Sequence, residues 1–365
     1  MMKKIIAIIC LGAAALLPAA AQTTQRLSAG KATEYGLVYN LPRTAIDITL
    51  EVELTESAPG EFYNYANRHM GITDAIRRGS RSARLLSAVI RSRGVPDEQS
   101  QWLVQFKSGT SPFIVLDESG VPVAVNTDAA PQADAPALPV ARPAAPTPLE
   151  TDAARQAVTQ EMTRSSSLGK RAELAAQRIF ELRDMRNDLL SGQADNTPPD
   201  GKAMQLVLDN IAAQEAALTA MFAGTTSTRT VVRTVTVMPD SADFSGLVVA
   251  RISPVDGIVD ADNLAGVPVT LDMAVTARAE LPLTDKGEPK RFPKGGFAYN
   301  IPGEAAFTLN YDGARVASVT MPVAQLGTVF GLDPNVFTDR KAPCCAILDP
   351  ATGAVLRLEP VSQNP

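Results

Sequence analysis

The chain has 365 residues, 45% of them hydrophobic and 20% charged, with a formal net charge of -5. That leaves room for about two or three folded domains and excludes a chain disordered throughout. Its charges are interspersed, and no long basic run supplies the counterion release that nucleic-acid binding requires, so nucleic acid is set aside as a partner.

Residues 1–21 begin with Lys3 and Lys4, continue as an apolar run over 5–17, and end in Pro18 and three alanines. This pattern predicts a signal peptide cleaved after Ala21; the segment is too short and wrongly flanked for a stable membrane span. Cys10 lies in the middle of the run with too little apolar chain before it for a lipid-anchored cysteine. No other stretch approaches the ~20 apolar residues of a spanning helix. The mature protein is therefore expected to be exported, periplasmic or on the cell surface, with no transmembrane span. Cys344 and Cys345 remain after cleavage. Adjacent cysteines close a small strained ring, and in a strand they point to opposite faces, so they read as half-buried residues opening a strand after Pro343; a vicinal disulfide is the alternative.

Residues 22–34 are small and polar, a flexible lead-in. A first β-rich unit follows over 35–126. Ile46, Ile48, Leu50, Val52 and Leu54 alternate with Asp47, Thr49, Glu51, Glu53 and Thr55, which predicts a long strand with one apolar and one wet, acidic face. Glu51 and Glu53 read as solvated strand residues, without the burial that a paired acid/base site needs. After Pro59 and Gly60, residues 61–70 form a short helix stopped by Gly71, with Phe62, Tyr65, Ala66 and Met70 expected to face the sheet.

The only histidine, His69, falls in that helix's last turn. Metal sites needing two or more histidines are excluded, and a histidine there serves the helix C-terminus or packs on neighbours. Arg77, Arg78, Arg81, Arg84, Arg91 and Arg93 read as solvated charges flanking a strand or short helix at 85–90, with an anion-binding surface as the alternative. Residues 94–97 read as a turn, 102–106 as a strand, and 114–125 as a hairpin centred near residues 118–120.

Six prolines spaced among alanines make 127–150 an exposed linker. Over 151–224 the apolar positions recur at helical spacing: Leu168, Ala172, Ala175, Ile179, Leu182, Met185 and Leu189, then Met204, Val207, Leu208, Ile211, Leu218 and Met221. With a polar turn at 195–201 between them, these segments predict an antiparallel helical hairpin ended by Gly224. A second β-rich unit occupies 225–360, with strands at 225–237, 246–252, 267–279, 305–311 and 315–322, a hairpin turn at 311–314, and a connection at 326–334 before the last strands. Asp256, Asp260 and Asp262 are spaced like calcium ligands, but Leu264 stands where an oxygen ligand is needed and no acid closes the loop, so the segment reads as a turn.

Residues 36–45 return as 296–305, with glycine, tyrosine, asparagine, proline and alanine in register, and each copy has a hairpin downstream, at 114–125 and 347–358. The fold class that follows is α+β: two related antiparallel β-rich units with an inserted helical hairpin. The motifs at 36–45, 58–68, 221–224 and 321–327, in that order, resemble domain-of-unknown-function family 4831. The resemblance implies an exported, β-rich protein with a central helical pair, typical of Bacteroidetes. It brings no activity or site residues, and it implies an aromatic residue at the place of His69.

No catalytic, cofactor-binding or metal-binding residue is assigned by these patterns, and no cofactor. The expected role is a non-enzymatic binding or scaffolding module of the cell envelope, with an envelope protein or a glycan as partner and the oligomeric state open. The alternatives are an envelope hydrolase using dispersed carboxylates, or a subunit pairing through its helical hairpin or a free strand edge.

Overall fold

The computed structural model describes residues 23–26 as main chain and residues 36–105, 112–128, 137–194, 201–339 and 342–361 in full. The expected signal peptide, most of the lead-in, Phe106 and the turn at 195–200 lie outside the described residues. In chain order the elements are β1 (Thr23–Arg26), β2 (Leu37–Ala58), α1 (Ala66–Met70), β3 (Ser80–Gln105), β4 (Ile114–Leu116) and β5 (Pro122–Val125). The helices α2 (Asp152–Ala157), α3 (Gln160–Arg164), α4 (Leu168–Ser191) and α5 (Lys202–Ala223) follow. Then come β6 (Thr225–Val237), β7 (Phe244–Ser253), β8 (Gly257–Val259), β9 (Val267–Ala277), β10 (Phe297–Tyr311), β11 (Ala314–Leu332), α6 (Asn335–Thr338), β12 (Cys344–Leu348) and β13 (Val355–Pro360).

The strands form three antiparallel sheets, ordered β1-β3-β2-β6, β11-β10-β9-β7-β8 and β13-β12-β5-β4, which with the helices gives the α+β class. The alternation along β2 decides how the first two meet. Ile46, Ile48, Leu50 and Val52 are fully buried against Val269, Leu271, Phe307, Leu309 and Val323 of the second sheet, so the two stack as a sandwich. Each such side chain contributes roughly 1.5–3 kcal/mol by leaving water.

Glycine and proline misdirect the sequence reading at two places. Residues 94–97, expected as a turn, are strand: Gly94, Val95 and Pro96 pair with Thr44, Arg43 and Pro42. Gly94 is there because a Cβ would lie 1.9 Å from the Pro350 carbonyl oxygen, and Pro96 sits beside a register shift where the ladder is already broken. The connection expected at 326–334 is likewise strand as far as Leu332, with Thr328 opposite Ile301; at Gly327 a Cβ would lie 1.8 Å from the Ile301 oxygen. β10 also starts earlier than expected, at Phe297, and the segment at 85–90 is strand within β3. The lead-in is corrected too, since residues 23–26 pair with Trp102–Gln105 of β3.

Both repeat copies open a long strand, β2 and β10, and both strands shift register near the repeat's proline. Their downstream hairpins, β4-β5 and β12-β13, join edge to edge in the third sheet, with Ala346 opposite Val125. Tyr39, Leu41, Phe297, Ala298, Val125 and Ala346 then share one core between the copies. The β10-β11 hairpin turns as expected on Asp312 and Gly313, both at positive φ (49° and 74°).

The helices build a separate body at the end of the first sheet, where β2 leaves at Ala58 and β6 enters at Thr225. Glu215 of α5 reaches both Arg183 and Arg186 of α4, so α5 returns along α4. Phe62, Tyr65, Ala66 and Met70 were expected to face the sheet; they pack on these helices instead, with Ile179, Leu182, Leu218 and Phe222. The cause is a docked main chain: the Phe62 N–H donates to the Met221 carbonyl at 2.7 Å and the Phe62 and Phe222 rings lie 5.3 Å apart. Residues 152–191 are not one helix, because Thr159 and Ser167 each cap a new start through their side-chain oxygens. In the proline-rich linker, Arg142 exchanges main-chain hydrogen bonds with Thr230 on the open edge of β6.

Candidate functional site

The candidate site is a groove of about 440 Å³ on the helical body. Ala212, Ala216, Thr219, Ala220 and Ala223 recur at three- and four-residue spacing along α5 and form its floor, and Arg183 and Arg186 reach over from α4. Small side chains keep the floor low. Glu215 is largely buried, its side chain 14% exposed, and accepts from Arg183 Nε at 2.6 Å and from Arg186 Nη1 at 2.9 Å. Two guanidinium groups share one carboxylate, so the rim keeps an excess of positive charge beside an apolar floor. Such a surface suits a helix or extended segment carrying small apolar and acidic side chains. Sequence reading did not single out Glu215. The signal for this groove was the unbroken small-residue spacing on α5.

The outer face of the first sheet gathers residues that sequence reading took one by one. Glu53 of β2 pairs with Arg84 at 2.9 Å, Glu56 with Arg81 at 2.7 Å and Asp47 with Arg93 at 2.7 Å, all across the β2-β3 ladder. Glu51 accepts from the Ser87 hydroxyl at 2.8 Å. Thr49, expected on a wet face, is buried and shares a hydrogen bond with Thr234 at 2.8 Å. Burial would raise the Asp47 pKa, but hydrogen bonds from Arg93 and Thr236 and the Arg93 charge outweigh it and hold the carboxyl below its usual range. These arginines are occupied by carboxylates, which argues against the anion-binding alternative for Arg81, Arg84 and Arg93.

His69 lies in the last turn of α1 with its ring 6.1 Å from that of Tyr65. Asp260 pairs with Arg233 and Asp256 accepts from Ser253, so these aspartates answer to different neighbours. Cys344 and Cys345 are free, half-buried thiols at the start of β12. Among the described residues no set of three or more His, Cys, Asp or Glu side chains is placed to hold a metal ion, and no helix is long and apolar enough to cross a membrane.

With this geometry in view, a family model described as "Domain of unknown function (DUF4831)" matches residues 35–356. The chain belongs to that family. The match runs from the first repeat copy to the last hairpin, so the DUF4831 unit contains the sandwich, the helical body and the groove together. No curated protein and no solved structure matches.

Proposed function

We propose that this DUF4831 protein is an exported, non-enzymatic binding or scaffolding module of the cell envelope, in which the β sandwich holds the helical body as the arm that meets a partner protein. The observation that carries the reading is the open groove on α5, apolar in its floor and basic at its rim, on a body that has its own core and stands at one end of the sandwich. The reading of export comes from the leader pattern at residues 1–21.

Three carboxyl groups of the chain are not tuned as general acids. Hydrogen bonds pull the carboxyl groups of Glu150, Glu173 and Asp272 below their ordinary range, from Thr147, from Lys170, and from Ser245 and Gly246 respectively. A general acid is made by the opposite arrangement, a carboxyl pushed upward by an apolar pocket.

The test has two arms. Mass spectrometry of the secreted or periplasmic chain should show a mature N-terminus at Gln22. Crosslinking in intact envelopes should then compare the natural protein with Ala212→Glu and Ala216→Glu, which fill the groove from exposed positions. A crosslinked protein lost from both variants, while their melting temperatures hold, supports the arm. An unchanged set of crosslinks refutes it.

A further inference from the structure

The third sheet ends in an open strand, β13, whose residues suit a second copy of themselves. Among the described residues, the order β13-β12-β5-β4 leaves β13 with a neighbour on one side only. The Val361 N–H donates to the Pro343 carbonyl at 2.7 Å, and β12 pairs Cys345 with Glu359 and Ile347 with Arg357. The main-chain groups of Arg357, Glu359 and Val361 therefore turn toward β12, and by the alternation of an antiparallel ladder those of Leu358 and Pro360 turn outward; Leu356 lies at the register shift between the Ile347–Arg357 and Leu348–Val355 pairs. Proline occupies an outward position, where its missing N–H costs β12 nothing. Leu356 and Leu358 are 59% and 44% exposed.

We propose that two copies of this chain join antiparallel along β13, in the register centred on Leu358. In that register each Leu358 N–H donates to the Leu358 carbonyl of the second copy, and no N–H is asked of Pro360. Leu358 meets its own counterpart, so the two apolar side chains cover one another. On the other face Arg357 stands opposite Glu359 in both directions across the dyad. These two side chains are 62% and 56% exposed and pair with each other at 3.4 Å along the strand. Slipping the register so that Leu356 faces Leu358 would set Arg357 against Arg357, a like-charge pair that disfavours it.

Charges that merely guard an edge need only repel; here they are of opposite sign and complementary in a single register. The four-stranded sheet is doubled by the pairing, and the contact belongs to the small, transient class of interfaces. This inference is independent of the α5 groove, which lies on another body.

Sedimentation of the mature chain over a concentration series up to its solubility limit tests it. The natural protein should show a reversible monomer–dimer equilibrium. Leu358→Pro removes an outward N–H without touching the β12 ladder and should abolish the dimer, while circular dichroism and the melting temperature report that the fold survives. Arg357→Glu and Glu359→Arg should each weaken self-association at least tenfold, and a mixture of the two should form heterodimers, because every cross-strand pair is then opposite in sign. A natural chain that stays monomeric to its solubility limit overturns the proposal. So does a dimer that survives Leu358→Pro, or charge variants that fail to recover on mixing.

Discussion

Asn40 and Asn300 stand at the same point of the two repeat copies, and the main-chain N–H of each donates at 3.1 Å to the glycine carbonyl of its own downstream hairpin, Gly120 and Gly353. The hairpins are built alike. Asp117 Oδ1 accepts from the Ser119 N–H at 2.9 Å and Asp349 Oδ1 from the Ala351 N–H at 3.0 Å, and each aspartate carbonyl takes the glycine N–H. The side chains then diverge. Asn300 Nδ2 donates to the Pro42 carbonyl at 3.0 Å and the Thr352 carbonyl at 2.7 Å, tying the first copy's proline to the second copy's hairpin, while Asn40 Oδ1 is buried without a hydrogen-bond partner among the described residues.

That divergence predicts unequal mutants. Asn300→Ala leaves two buried carbonyls unanswered and should cost about 2–4 kcal/mol, at roughly 1–3 kcal/mol per unsatisfied group before relaxation. Asn40→Ala removes an oxygen that is already unanswered and should cost about 1 kcal/mol or less. Urea unfolding midpoints at constant slope check the order; equal losses would show that the clip between copies carries no stability.

Tyr39 supplies a second tie between the copies. Its hydroxyl accepts from the Ala298 N–H at 2.9 Å and donates to the Ala298 carbonyl at 3.3 Å, and its ring stacks 4.9 Å from Phe297. Burial pushes its phenol well above the ordinary range, against a smaller pull from the Ala298 hydrogen bond, and burial raises Tyr299 and Tyr311 as well. A pKa raised on folding gives stability that is complete below the unfolded value near ~10 and is lost as pH rises above it. Tyr39→Phe should cost about 2 kcal/mol at pH ~7. Above pH ~10 that deficit should shrink by about 1.4 kcal/mol per pH unit, because the phenylalanine variant has no proton to lose there. A deficit independent of pH would refute the buried phenol.

What was legible in the sequence follows from which forces are local. The apolar alternation from Ile46 to Leu54, the helical spacing along α4 and α5 and the Asp312–Gly313 turn are set by neighbours a few residues away, and each was read correctly, whereas the caps at Thr159 and Ser167 that divide residues 152–191 were not read. The repeat was legible as well. Gly94 and Gly327 were read as punctuation because the chain that crowds them, at Pro350 and Ile301, is distant in sequence or across a hairpin. The facing of Phe62 toward Phe222, and of Glu215 toward Arg183 and Arg186, depended on tertiary docking that periodicity does not encode. The charge pairs of the outer face were half visible: acids alternate on one segment and arginines gather on another, and the β2-β3 register was the missing piece.

Asp47 governs part of the acid response. Its carboxyl is held low by Arg93 and Thr236 despite its partial burial, so it contributes stability above the unfolded carboxylate range near ~4 that is lost as pH falls through its lower folded value. Asp47→Asn should cost less than about 1 kcal/mol at neutral pH, since Arg93 is half exposed and solvent screens the pair. The variant should also unfold less steeply between pH ~4 and ~2 than the natural protein. Denaturant midpoints across that window decide it; parallel curves would mean that Asp47 is not the group titrating.

The strand glycines give the sharpest contrast. Gly94→Ala and Gly327→Ala would set a Cβ 1.9 Å and 1.8 Å from main-chain oxygens of Pro350 and Ile301, and neither oxygen can swing away as the end of a flexible side chain could. Separation there means moving one strand or loop off another, so each substitution should cost at least about 3 kcal/mol and lower the soluble yield. Gly313→Ala is the control. Nothing lies within 4 Å of its added Cβ, and only the positive φ of 74° is strained, for a loss of about 1 kcal/mol. If Gly94→Ala and Gly327→Ala melted within a few degrees of Gly313→Ala, turn flexibility rather than close packing would explain all three glycines, and strand continuity through 94–97 and 326–332 would be wrong.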